Sequence, residues 1–131
     1  MSGPPCTRRT ILVVEDDPDI AESLCDVLRS EGYEVVTASN GKEGLDRLGE
    51  MGRPCLILLD LMMPVMSGSE FLAALRRNDA HAATPVVIVS AWAKEGAQVR
   101  ALSQGFVDKP ISIDALLEAT HKFCTPGEAS P

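Results

Sequence analysis

The residues best able to do chemistry in this sequence stand directly after short apolar runs. A group of acids follows Ile11–Val14, a single acid follows Cys55–Leu59, a serine follows Pro85–Val89, and a lysine comes soon after Gly105–Val107. The polar residues at these places are Glu15, Asp16, Asp17, Asp60, Ser90 and Lys109. Each of them alone has an ordinary structural explanation, such as a helix cap or a solvated charge. Their repeated occurrence after apolar runs suggests instead that they share one site.

Carboxylates gathered in one place favour a bound cation. Two carboxylates about 4 Å apart repel each other by roughly 4 kcal/mol at an effective dielectric constant near 20. A cluster of three must therefore retain protons or hold a metal ion. Mg²⁺ fits best, because it is a hard ion that takes oxygen ligands and keeps some of its water. No histidine or cysteine adjoins these acids, which argues against zinc and other softer metals.

The same set of groups suits phosphoryl transfer. A carboxylate beside Mg²⁺ can attack phosphorus and form an aspartyl phosphate, while the metal ion and a lysine neutralise the charge on the transferred group. A hydroxyl from a neighbouring strand could then hydrogen-bond to the phosphoryl oxygens. Because a phosphoryl group adds charge and acceptor oxygens, its arrival can reorganise nearby loops.

Five short apolar runs alternate with helical patterns along the chain. The runs predicted to be strands are Ile11–Val14, Tyr33–Thr37, Cys55–Leu59, Pro85–Val89 and Gly105–Val107. The alternation predicts an α/β fold in which right-handed crossovers place helices on both faces of a parallel sheet. Five strands in a chain of this length favour the flavodoxin-like order 2-1-3-4-5. Ligands of such sheets bind beyond the carboxyl ends of the strands, which is where the polar set would meet.

Capping residues mark the predicted helix boundaries. Asp17, followed by Pro18, predicts the start of the first helix. The later helices are predicted to follow Asn40-Gly41, to span Ser67–Asn78, and to open at Ser112 or Asp114.

The composition is that of one globular domain with an acidic balance. The chain has 131 residues and a formal net charge of −7. We expect the domain to cover residues 10–124, between disordered tails at 1–9 and 125–131 that are rich in proline, glycine and serine. An acidic protein gains nothing from a phosphate backbone or an anionic lipid surface, so neither nucleic acid nor a membrane is an expected direct partner.

Four cysteines, Cys6, Cys25, Cys55 and Cys124, are widely separated and form no Cys-x-x-Cys motif. Free cysteines in apolar positions behave as small hydrophobic residues. This pattern predicts a reduced, cytoplasmic protein without a disulfide or zinc framework.

Four sequence blocks together resemble the receiver domain of two-component response regulators. They are Ile11–Pro18 (ILVVEDDP), Leu58–Gly68 (LLDLMMPVMSG), Val89–Ala91 (VSA) and Val107–Ile111 (VDKPI). The resemblance runs from residue 11 to about 124 and contains the signature blocks of the family in order. The second block, with its Met-Pro-x-Met-x-Gly sequence after the aspartate, is the most specific.

The resemblance implies a role for each acid of the set. Asp60 matches the phosphoacceptor of the family, and Glu15 and Asp16 match its acidic pair. Asp16 would bind Mg²⁺ directly and Glu15 through water, while the backbone carbonyl of Met62 would supply the remaining protein ligand. Asp17 lies one position beyond the acidic pair, so we assign it to helix capping.

Three further positions match residues that respond to phosphorylation in the family. Ser90 matches the switch hydroxyl, and Lys109 matches the lysine that pairs with the phosphoryl group. The Lys109–Pro110 peptide bond is expected to be cis by the same resemblance. Phe106 matches an aromatic residue that moves between outward and inward rotamers and, lacking a hydroxyl, should favour the inward one. A plain core phenylalanine is the alternative.

Two departures from the family pattern stand out. The unit from Pro85 to Gly105 is about three residues shorter than the usual pattern of the family. Its predicted helix around Lys94–Ser103 can therefore run only two or three turns, so binding of output partners there could be unusual. Trp92 and Met62 are large and apolar at positions that would flank the hydrolytic water, which predicts slow self-dephosphorylation. Trp92 could equally anchor a partner.

The resemblance implies a phosphoacceptor that is not itself an enzyme. Its phosphodonor would be a histidine kinase or phosphotransfer protein, and its output partner a protein. An aspartate-nucleophile phosphatase or phosphotransferase is disfavoured, because the position of its second aspartate is Met62 here. A pseudo-receiver that is never phosphorylated, and a receiver excised from a hybrid histidine kinase, remain alternatives.

Overall fold

The computed structural model of the chain describes residues 10–60, 65–90, 103–109 and 111–124, with Ser90 and Asp108 described by their backbone. Five parallel strands form one sheet in the order β2-β1-β3-β4-β5, which confirms the predicted order. The strands are β1 (Thr10–Val14), β2 (Glu34–Ala38), β3 (Leu56–Leu59), β4 (Val86–Ser90) and β5 (Gly105–Asp108). Both tails, Met62, Trp92, Pro110 and residues 94–102 of the predicted helix lie outside the described residues.

Four helices are described, and each begins where a side chain caps its first turn. They are α1 (Pro18–Ser30), α2 (Gly41–Met51), α3 (Gly68–Arg77) and α4 (Ile113–Phe123). The capping residues are Asp17, Asn40, Ser67 and Ser112, whose side chains accept hydrogen bonds from backbone N–H groups of the first turn. Within these described stretches, no helix combines the length and the apolar composition that crossing a bilayer demands.

Strand β3, and strand β1 after Thr10, are apolar at every position because helices cover both of their faces. Alternate residues enter two separate apolar clusters, as the twofold period of a strand requires. Ile11 and Val13 join the cluster under α1 and α4, together with Leu28. Leu12 and Val14 belong to the other cluster, which lies under α2 and α3.

A disulfide joins Cys55 to Cys124, so the prediction of a protein without disulfides was wrong. Cys55 directly precedes β3, and Cys124 caps the carboxyl end of α4. Because α4 runs back from the carboxyl edge of the sheet, its end returns to the amino edge, where β3 begins. Two cysteines 69 residues apart thereby become neighbours, with their Cα atoms 5.5 Å apart. Cys25 is buried and free.

Candidate functional site

Four polar side chains of the predicted set meet at the carboxyl edge of the sheet. Glu15 and Asp16 follow β1, Asp60 follows the adjacent β3, and Lys109 follows β5. Backbone hydrogen bonds extend the sheet by one residue at this edge. The Glu15 N–H donates to the Ala38 carbonyl at 3.0 Å, and the Asp60 N–H donates to the Val14 carbonyl at 3.0 Å. The two acids are therefore held at a fixed separation by the ladder itself.

Three carboxylates converge there. Glu15, Asp16 and Asp60 each offer one oxygen, and these oxygens all lie within 4.8 Å of one another. The side chains of Glu15 and Asp60 are buried, whereas Asp16 is exposed. An all-oxygen donor set with one open side fits a hard divalent ion such as Mg²⁺, which binds one or two carboxylates and keeps several waters.

Lys109 is the cation that approaches these acids in the described structure. Its Nζ lies 3.1 Å from Glu15 Oε1 and 3.7 Å from Asp60 Oδ1. The Glu15 contact is short but does not have hydrogen-bond alignment, since Oε1 accepts no well-formed hydrogen bond among the described residues. We therefore describe it as an ion pair. One ammonium faces three carboxylates, which leaves the site in need of further positive charge.

The electrostatics of Glu15 reflect this shortage of positive charge. Burial, and after it the negative charge of Asp60, raise the pKa of Glu15 from 4.5 to about 7. Two groups oppose the rise: the Asp17 N–H, which donates to Oε2 at 3.1 Å, and the Lys109 ammonium. A buried carboxyl that resists ionisation is one whose charge a bound cation would stabilise.

Asp17 turns away from the carboxylate cluster and caps α1. Its Oδ1 accepts the backbone N–H groups of Asp19 at 2.9 Å and Ile20 at 3.3 Å. Pro18 occupies the first turn, where its missing N–H costs nothing. The predicted capping role of Asp17 is confirmed.

The remaining predicted positions are described only in part. Ser90 ends β4, and its backbone pairs with Asp108 of β5. Phe106 is partly buried and packs against the apolar cluster under α2 and α3. The Met62 carbonyl, the Lys109–Pro110 peptide bond and Trp92 fall outside the described residues, so their predicted roles stay predictions.

The turn at Val65 and Met66 is hydrogen-bonded to the start of α2, a contact that sequence reasoning missed. Val65 has a φ of 68° and is 75% exposed, an unusual backbone conformation for a β-branched residue. The Gly41 N–H donates to the Met66 carbonyl at 3.2 Å. A Cβ on Gly41 would lie only 2.8 Å from Met66 Cγ. The glycine at the start of α2 is the one sequence feature that could indicate a close approach of another segment. The sequence does not reveal that the approaching residue is Met66.

Known sequences resemble the chain over most of its length. Residues 11–121 match the family model of the response regulator receiver domain. The chain is 43% identical over 110 residues to the uncharacterized transcriptional regulatory protein YkoG of Bacillus subtilis, a match that covers 82% of this chain and 47% of that protein. It is 40% identical over 114 residues to the cell cycle response regulator CtrA of Brucella abortus, covering 85% and 48%. The chain thus spans about half the length of these relatives.

Solved structures share the same fold. The response regulator TrrA of Thermotoga maritima, in complex with Mg²⁺ and BeF, superposes with a TM-score of 0.79 at 32% identity, covering 88% of this chain and 98% of that one. A response regulator receiver protein of Pseudomonas putida gives a TM-score of 0.82 at 30% identity, with the same coverage.

Proposed function

Since this chain belongs to the response regulator receiver domain family of two-component systems, we propose that Asp60 accepts a phosphoryl group in a Mg²⁺-dependent reaction. The phosphodonor is a histidine kinase or phosphotransfer protein, and phosphorylation changes the contacts of the domain with a protein output partner. The observation that supports this proposal most is the meeting of Glu15, Asp16 and Asp60 with Lys109 at one edge of the sheet. The Mg²⁺–BeF complex of TrrA adds support from a relative.

The acids have two roles in this proposal, binding the ion and attacking phosphorus. Asp16 and Asp60 would bind Mg²⁺ directly, Glu15 through water, and the Met62 carbonyl would complete the protein ligands. When bound, the ion supplies positive charge that offsets the phosphoryl oxygens. A carboxylate oxygen of Asp60 attacks phosphorus, and the bond between phosphorus and the donor atom breaks as the new P–O bond forms.

Lys109 would change partners during the reaction. Before transfer its ammonium lies between Glu15 and Asp60, at 3.1 and 3.7 Å. A phosphoryl group on Asp60 adds roughly 1.5 to 2 negative charges, so Lys109 would then pair with its oxygens. The hydroxyl of Ser90, at the end of β4, would hydrogen-bond to the same group. Phosphorylation of Asp60 would thus act on β5 because Lys109 loses its ion pair with Glu15 and gains one with the phosphoryl group.

Phe106 would relay the change to the surface. It stands on β5 two residues before Asp108 and packs against the cluster under α2 and α3. A shift of the backbone around Ser90 and Lys109 would change the room available to this ring. Hydrolysis of the aspartyl phosphate would be slow, because the apolar side chains of Met62 and Trp92 cannot orient a water molecule.

An apolar groove beside Lys109 is suited to the phosphodonor protein. It measures about 430 Å³, lies between α1 and α4, and includes Ile20, Ile111 and the exposed Ile113 in its lining. Lys109 belongs to both the groove and the carboxylate site. A donor protein must bring its phosphorus to Asp60, so a protein surface packed against this groove would be correctly placed for transfer.

Phosphorylation by acetyl phosphate tests the proposal. Intact-mass measurement should show one added phosphoryl group that requires Mg²⁺, and borohydride trapping should locate it at Asp60. Asp60→Asn should lose the modification, whereas Asp19→Asn, an exposed acid outside the carboxylate cluster, should keep it. Failure of the wild-type chain to be modified by any phosphodonor would favour a pseudo-receiver and refute the proposal.

The groove is tested separately. Ile113→Glu should slow phosphotransfer from a donor protein at least severalfold and leave the rate with acetyl phosphate unchanged. Equal loss with both donors would mean that the groove only supports the fold.

A further inference from the structure

The amino edge of the sheet carries a second pair of reactive groups, far from the carboxylate site. The Cys55–Cys124 disulfide connects the residue before β3 to the residue after α4. Asp60 follows β3 at its other end, and Lys109 precedes α4. The same strand and the same helix are therefore held at one edge by the proposed phosphorylation site and at the other by this disulfide.

Contacts that do not involve sulfur hold both cysteines in place. The Cys55 N–H donates to the Thr10 carbonyl at 2.9 Å, and the Cys124 N–H donates to the Thr120 carbonyl at 2.8 Å. The Tyr33 hydroxyl donates to the Cys124 carbonyl at 3.4 Å. Both side chains also belong to the apolar cluster under α1 and α4. Two thiols at these positions would pack as small hydrophobic groups and remain neighbours, so the reduced chain keeps the pair ready to reform the bond.

The two cysteines differ in how a reagent can reach them. Cys124 ends α4, and the last turn of a helix opens readily because its carbonyl groups lack intrahelical partners. Cys55 is fixed at the start of a central strand. Cys25 is buried on α1, outside that cluster, and burial raises the pKa of its thiol, which disfavours the reactive thiolate. Both cysteines are buried in the described structure, so a reagent reaches Cys124 when the last turn of α4 opens. Cys124 is thus the thiol that this opening exposes, and Cys55 is the one placed to resolve its adduct.

We propose that Cys55 and Cys124 form a reversible redox-modification site whose oxidant is a small-molecule disulfide such as oxidised glutathione. The Cys124 thiolate attacks one sulfur of the oxidant, forms a mixed disulfide and expels one thiolate, which takes up a proton. The Cys55 thiolate then attacks Cys124 Sγ, forms the internal disulfide and expels the second. The cysteine pair loses two electrons and two protons, and the oxidant becomes two thiols.

Oxidation fixes the end of α4 on the sheet. With the bond formed, the last turn of α4 cannot leave the start of β3; with the bond reduced, that turn is held only by hydrogen bonds and apolar contacts. The redox state therefore sets how firmly α4 is held, independently of Mg²⁺ and of phosphorylation at Asp60.

Thiol counting in glutathione mixtures tests the site. The experiment uses the Cys6→Ser variant, in which three of the four cysteines remain. Neither Mg²⁺ nor a phosphodonor is added. After acid quenching, unfolding and alkylation, the intact mass should show three labels in reducing mixtures and one in oxidising mixtures. The oxidised form should melt roughly 10 °C higher, and amide exchange in the last turn of α4 should be slower. Cys25→Ser should still lose two labels between reducing and oxidising mixtures, and Cys55→Ser should not show this loss.

Three results would overturn the proposal. Three labels in every mixture would mean that the pair does not oxidise, and one label after dithiothreitol treatment of the folded chain would mean a permanent structural bond. A stable glutathione adduct on Cys124 would mean that Cys55 does not resolve it. If Cys55→Ser fails to fold, the wild-type chain before and after reduction provides the comparison between the states with and without the bond. None of these results depends on whether Asp60 is phosphorylated.

Discussion

Replacing Glu15 by glutamine should stabilise the metal-free chain, with a gain that grows with pH. Burial and the charge of Asp60 raise the pKa of Glu15 from 4.5 to about 7. The unfolded chain therefore releases this proton first as pH rises, and folding becomes less favourable between pH 4.5 and 7. Because each pH unit corresponds to about 1.4 kcal/mol, the full effect is roughly 3 kcal/mol. Below pH 4.5, Glu15 is protonated in both states and contributes its full stability.

Urea unfolding at several pH values in EDTA measures this effect. Relative to wild type, the free energy of unfolding of Glu15→Gln should rise by roughly 3 kcal/mol between pH 4.5 and pH 8. Glu22→Gln, which changes an exposed acid of α1, should follow the wild-type profile. Adding Mg²⁺ at pH 8 should stabilise the wild type and narrow its difference from Glu15→Gln, because the ion offsets the charge. A difference between the variants that does not change with pH would refute the assignment of a raised pKa to Glu15.

Two further predictions concern packing and pH. Burial lowers the pKa of His81 below its ordinary 6.5. As pH falls, the unfolded chain therefore binds this proton first, and the free energy of unfolding should decrease below pH 6.5. In urea titrations, His81→Leu should remove this part of the pH dependence of the free energy of unfolding. A Cβ on Gly44 would lie 2.9 Å from Phe71 Cε1, whereas one on Gly49 would meet nothing within 4 Å. In thermal unfolding, Gly44→Ala should therefore cost about 1–3 kcal/mol, while Gly49→Ala in the same helix should gain about 0.5–1 kcal/mol; equal effects would contradict the described packing.

Local chemistry explains why most of the fold could be predicted. Asp17 with Pro18, and Ser67 with Glu70, satisfy the free N–H groups of a first helical turn through contacts within a few residues, so their sequence alone marks a helix start. The apolar run before Asp60 has no alternation of polar residues, which indicates a strand covered on both faces. Once the strands are parallel, their carboxyl ends must share one edge, so the meeting of Glu15 and Asp60 follows from topology.

The features that were missed depend on pairs of residues distant in sequence. Nothing near Cys55 indicates that the end of α4 returns to it, so spacing alone led to the wrong expectation about disulfides. The tight contact between Gly44 and Phe71 is set by how closely α2 and α3 pack. The positive φ of Val65 opposes the preference of a β-branched residue, and so no local rule predicts it.

A crystal structure with Mn²⁺ and beryllofluoride would test the central claim most directly, since Mn²⁺ replaces Mg²⁺ and can be located by its anomalous scattering. We predict one anomalous peak within about 2–2.5 Å of oxygens of Asp16 and Asp60, beryllium bonded to Asp60, and the Lys109 ammonium turned from Glu15 towards a fluoride. A peak elsewhere, or beryllofluoride absent from Asp60 while Lys109 keeps its contact with Glu15, would contradict the account.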